Sequence, residues 1–145
     1  MNIISRTAIV IGALAAFAFA GTAHAELTEA PEDASVYLIA PEDGATVTNP
    51  VTFLFGVDGM GVAPAGVQHP NTGHHHLLIN KPLAEVNLED AIPADDQHRH
   101  FGGGQTQVTL ELPAGTHTFQ LLFGDHDHIP HSPPKFSEVI TVTVE

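Results

Sequence analysis

The chain has 145 residues, with 17 acidic side chains against four basic ones, a formal net charge of −13, no cysteine and 11 histidines. So acidic a surface repels nucleic acid and anionic membranes. Without thiolates, metal capture is left to imidazole, carboxylate and the thioether of Met60, so histidine becomes the main candidate.

At the N-terminus, Arg6 precedes an apolar run from Ile9 to Ala20, and small residues follow as far as Ala23-His24-Ala25. This is the pattern of a secretory signal peptide over residues 1–25, and the run is short of the roughly 18 residues a membrane span needs. The expected location is periplasmic or secreted, with no membrane span. Cleavage after Ala25 leaves Glu26 first. Cleavage after Ala23 would instead expose His24, whose amine and imidazole can chelate copper. Residues 26–34 are acidic and without periodicity, which predicts a flexible leader. One domain over residues 35–145 follows.

The domain reads as β throughout. Val36-Tyr37-Leu38-Ile39 stops at Pro41, and Val51, Phe53, Phe55 and Val57 alternate on one face of a second strand. After a Gly- and Pro-rich loop, His76-Leu77-Leu78-Ile79 reads as a buried strand. A long polar connection from Lys81 to Gly104 holds at most a short helical turn around Leu88 to Ala91. Val108, Leu110 and Leu112 alternate, and Pro113-Ala114-Gly115 predicts a tight turn and a β-hairpin into Thr116–Phe123. Val139–Val144 is the last strand. About seven short strands with frequent turns predict an all-β, antiparallel immunoglobulin-like β-sandwich, without the Cys and Trp hallmarks of antibody domains.

Eight histidines fall in three segments: His74-His75-His76, His98-Arg99-His100, and His126-Asp127-His128-Ile129-Pro130-His131. On a strand, residues two apart share a face at about 6.7 Å, so a His-x-His pair can place both rings on one ion at about 2.0–2.1 Å. Strand parity puts His74 and His76 on the face of Leu78, and His75 on the face of Leu77 and Ile79. His75 is therefore expected in the core. His117 is in phase with Phe119, Leu121 and Phe123 and is expected as a buried ring hydrogen-bonded to backbone. His69, before Pro70, is expected as a solvated loop residue. The predicted metal ligands are His74, His76, His98, His100, His126, His128 and His131. Asp125 and Asp127 can ligate directly or, with Gln105, act as outer acceptors that fix a ring's tautomer. Gly102-Gly103-Gly104 permits a loop folded tightly against the site, or a flexible connector.

The stretches Gly73–Ile79, His100–Thr106 and Gly124–Pro134 resemble the pattern of a His-rich bacterial periplasmic family, domain of unknown function 4399. The resemblance runs from about Gly73 to Val144. It implies one small periplasmic domain and brings no activity with it.

Three functions fit the sequence. The first is a non-catalytic carrier or buffer of Cu(II) or Zn(II), which can exchange metal with another periplasmic metal-handling protein. The second is a metalloenzyme with a His-ligated ion at an open position and Asp125, Asp127 or Glu85 moving protons. The third is a metal-free envelope interaction module, which predicts scattered histidines. The metal readings require the three His segments to meet at one place.

Overall fold

The computed structural model describes residues 26–145, so the expected signal peptide lies outside the described residues. The strands are β1 (Ser35–Ala40), β2 (Thr46–Val47), β3 (Val51–Asp58), β4 (Gly61–Val62), β5 (Thr72–Ile79), β6 (His98–His100), β7 (Gln107–Leu110), β8 (Gly115–Gly124) and β9 (Ile140–Val144). The one helical element among the described residues is a 3-10 turn at Leu83–Glu85. The molecule is all-β, as the alternating patterns predict.

Two sheets face each other. The smaller has the order β1-β3-β7, and the larger runs β2-β9-β8-β5-β4 with β6 also paired to β5. Residues of alternating phase from both sheets fill the space between them: Phe53 and Phe55 from β3, Leu77 and Ile79 from β5, Phe119, Leu121 and Phe123 from β8, and Val142 from β9. Phe53 and Phe119 meet across the interface with ring centroids 4.7 Å apart. Burial of such side chains, each worth about 1.5–3 kcal/mol, is the main force holding the sheets face to face.

Three expectations are corrected. The arrangement is mixed, because β2 pairs with β9 and β4 with β5 in parallel. Residues 107–124 form no hairpin: β7 pairs with β3 in the small sheet, and β8 pairs with β5 and β9 in the large one. Alternation shows which face of a strand is apolar and does not name its neighbour. Asn49 anchors the crossing by both accepting from Leu112 N at 3.0 Å and donating to Leu112 O at 2.7 Å. The helical turn sits at Leu83–Glu85, earlier than Leu88–Ala91.

The outer face of the large sheet is also covered. Leu78 and Leu122 point away from the main core into a second apolar cluster with Val86 and Ile92. The long connection thus lies over this outer face. The same face carries His74 and His76, beyond the end of the small cluster.

Candidate metal centre

On β5, six consecutive residues from His74 to Ile79 are buried because this central strand is covered on both faces. Parity then divides its histidines. His75 turns inward, with its ring 5.2 Å from Phe55 and 5.0 Å from Phe123. His74 and His76 turn outward and lie 4.7 Å apart, centroid to centroid. This is the division the phase of Leu77, Leu78 and Ile79 predicts.

His100 reaches the same place by strand register. β6 runs antiparallel to β5 with His100 opposite His76 and His98 opposite Leu78. The ring of His100 is 5.2 Å from that of His76 and 5.0 Å from that of His74.

His128 arrives from the turn after β8. It holds a left-handed backbone conformation, φ 68°, which is uncommon for a side-chain-bearing residue and persists where surroundings over-determine it. Its Nδ1 lies 3.0 Å from Nε2 of His74, and its ring centroid is 4.6 Å from that of His100.

One ring nitrogen from each of His74, His76, His100 and His128 lies within 4.8 Å of all the others. Around an ion bound at about 2.0–2.1 Å, tetrahedral ligand atoms stand about 3.3 Å apart, so modest ring movements close the set. Four imidazoles arranged so can hold a metal ion. His74 and His76 are fully buried, His128 is half-buried and His100 is exposed.

Two further properties are compatible with a bound cation. His74 Nδ1 and both ring nitrogens of His76 are buried with no hydrogen-bond partner. Buried polar atoms are nearly always paired, and each orphan costs about 1–3 kcal/mol. Burial also favours the neutral form of His74, His76 and His100, the form in which imidazole ligates. Burial, then repulsion from His128 and His100, lowers His74 to a pKa of about 4. Burial, then His74, His100 and His128, lowers His76 to about 2. Burial and His128 also lower His100.

Glycines make the room. A Cβ on Gly124, the cross-strand partner of His74, would stand 2.8 Å from Cε1 of His76. A Cβ on Gly102 would strike the His100 ring. The Gly102–Gly104 loop is thus the tightly folded alternative: Phe101 is buried in the main core, and Gly102 O accepts from Ala65 N at 2.8 Å.

The other predicted site residues stand elsewhere. His98 lies beside Leu78, with Nδ1 2.8 Å from Asp95 Oδ1, because its register is one His-x-His step beyond the site. His126 is half-buried, with Nε2 3.3 Å from Asp127 Oδ2 and Nδ1 3.9 Å from Asp125 Oδ2. His131 is buried against Phe123, its Nε2 3.1 Å from Thr72 O. Gln105 is exposed and accepts from Gly103 N at 2.9 Å, so it holds its own loop rather than a ligand ring. Asp125 touches no ring of the quartet. It accepts from the amides of Asp127 and Ile129 and from the Thr28 hydroxyl. Burial pushes its carboxyl up, but those donors outweigh it and the pKa is lowered.

The histidines expected outside the site are outside it. His69 is exposed, with Nδ1 3.0 Å from Pro70 O. His117 is hydrogen-bonded to Pro113 O at 2.8 Å as expected, but it is half-buried rather than buried. It lines a cavity of about 600 Å³ with Ile79, Arg99, Leu110 and Glu111, to which no ring of the quartet contributes.

The family model described as "Domain of unknown function (DUF4399)" matches residues 53–145. The chain belongs to this family. The match begins within β3 and takes in all four clustered imidazoles together with Gly73, Gly102 and Gly124. No curated protein and no solved structure matches the chain. No helix among the described residues is long and apolar enough to cross a membrane.

Proposed function

We propose that this chain is a periplasmic transition-metal-binding protein that carries or buffers one Cu(II) or Zn(II) ion through His74, His76, His100 and His128. The observation that carries the reading is the convergence of four imidazole nitrogens, from three distant segments, within 4.8 Å of one another. An all-imidazole set without sulfur suits Cu(II) and Zn(II), and the affinity order of divalent metals favours copper where both are present. The signal-type sequence of residues 1–25 supports export, and a metal-handling protein of the same compartment is the natural donor or acceptor.

Binding is a better account than catalysis. Catalytic zinc sites keep three protein ligands and an open position, whereas four imidazoles fill a tetrahedral shell. A metal-free interaction module has no use for four converging imidazoles, two of which leave buried nitrogens unpaired.

The test is elemental analysis of protein purified from the periplasm without a His-tag, with Cu(II) paramagnetic resonance on the wild type and on His74→Ala and His128→Ala. Near-stoichiometric metal and a multi-nitrogen copper signal, both lost in the variants, is the expected result. No bound metal under copper- and zinc-replete conditions would remove the proposal.

A further inference from the structure

The segment ahead of β1, expected as a flexible leader, is tied from Thr28 onward to the loop that carries His128. Ser132 N donates to Thr28 O at 2.9 Å and Ala30 N to Ser132 O at 3.1 Å, giving a short parallel bridge between Glu29 and Ser132. Lys135 Nζ donates to Glu32 O at 3.0 Å, and Ala30 and Ala34 are buried. This segment precedes the residues matched by the family model.

Asp125 is where the segment meets the loop. Its side chain is buried, and Oδ2 accepts from Thr28 Oγ1 at 2.5 Å. Oδ1 accepts from Asp127 N at 2.9 Å and from Ile129 N at 3.0 Å, the two amides that flank His128. His128 N closes the turn onto Asp125 O at 3.0 Å, and Ile92 N donates to His128 O at 2.9 Å from the other side. The left-handed conformation that brings His128 to His74 is thus held by this carboxylate together with the backbone bonds of the turn, and Thr28 is the carboxylate's side-chain donor from the N-terminal segment. Asp125 also acts electrostatically on His74, favouring positive charge there.

We infer that the N-terminal segment is part of the metal site: Thr28, through Asp125, positions His128 for the ion, and Asp125 supplies buried negative charge that offsets the cation. The inference rests on the metal-binding reading above. Thr28 and Asp125 act through the backbone of the turn and do not touch the ion.

Thr28→Val removes the hydroxyl and keeps the side-chain shape, Thr28→Ser restores the hydroxyl, and Asp125→Asn removes the charge. Affinity for Cu(II) is measured by competition with a chelator, alongside the copper paramagnetic resonance spectrum. Outer partners of metal ligands are typically worth 10- to 100-fold in affinity. Thr28→Val is expected to weaken Cu(II) binding about 10-fold and alter the spectrum, and Asp125→Asn to weaken it about 100-fold. Thr28→Ser is expected to match the wild type. Should Asp125→Asn not fold, the two Thr28 variants carry the test alone. Wild-type affinity and spectrum in Thr28→Val, even with a lower melting temperature, would reduce the segment to a structural anchor and overturn the inference. A wild-type protein that binds neither Cu(II) nor Zn(II) would instead overturn the metal reading, and the inference with it.

Discussion

Nε2 of His74 lies 3.0 Å from Nδ1 of His128, although the residues stand 54 positions apart in the chain. One belongs to a central strand buried on both faces, the other to a turn in a left-handed conformation. The hydrogen bond between them needs a proton on one of the two nitrogens. When both nitrogens face an ion, that proton must move to the far side of its ring.

Membership of the site divides the histidines sharply. His76→Ala and His100→Ala are expected to weaken Cu(II) or Zn(II) binding by more than the ~10- to 100-fold that an outer partner contributes. His98→Ala and His126→Ala, which break the pairs with Asp95 and Asp127, are expected to bind as the wild type does. Chelator competition on the four variants measures this, and equal losses in all four would contradict the quartet.

His75 should behave as a core residue with a cost attached. Its two ring nitrogens are buried without partners among Phe55 and Phe123. His75→Phe keeps the ring and removes the unsatisfied atoms, which cost about 1–3 kcal/mol each in such positions. We expect urea unfolding of the metal-free variant to show stability raised by about 1 kcal/mol or more, with metal affinity unchanged.

Acid should destabilise the metal-free protein through its buried imidazoles. His74 and His75, each lowered to about 4 chiefly by burial, stay neutral in the fold while unfolded histidines take up protons near the ordinary value of 6.5. The unfolded state then binds more protons, so stability is complete above about pH 6.5 and falls as pH drops towards 4. Each such ring contributes a slope of about 1.4 kcal/mol per pH unit inside that window. Melting temperature against pH checks this, and a flat profile between pH 7 and 4.5 would contradict it.

Gly124→Ala tests the space reserved for the rings. The new methyl would stand 2.8 Å from Cε1 of His76 and 3.3 Å from the backbone of His128. Overpacking of this kind costs typically about 1–3 kcal/mol. Both the melting temperature and the metal affinity should fall, whereas Gly44→Ala, at a site where nothing lies within 4 Å, should leave metal affinity alone.

Metal itself should stabilise the fold. At free metal 100-fold above Kd, binding to the folded state alone adds about 2.7 kcal/mol. Calorimetry with Zn(II) should show the melting temperature rise and return after a chelator is added. An unchanged transition at saturating metal would exclude a site formed only in the folded chain.

Much of this site is legible in the sequence, because β5 declares its own phase. Leu77, Leu78 and Ile79 are all buried, yet the alternation assigns His75 to one side and His74 and His76 to the other. The selection of His100 over His98 could not be read, since His-Arg-His is a three-residue strand whose register depends on pairing with His76 and Leu78. The selection of His128 over His126 and His131 depends on one left-handed residue, for which Asp125, placed to accept from amides two and four positions on, is the sole local signal. Thr28 gave no signal at all, because its partner lies 97 positions away. The β7–β8 crossing is hidden for a similar reason: a tight turn and two alternating strands are compatible with one sheet or with two.

The unequal burial of the four rings sets the order in which an ion would arrive and leave. His100 is exposed and His128 half-buried, while His74 and His76 have no measurable exposure. A hydrated ion would meet the outer pair first and shed water as it moves inward. Departure would run the same path backwards, with a competing ligand able to take the place of His100 while the inner pair still holds. Metal could then pass from one chain to another without a stage at which it is free.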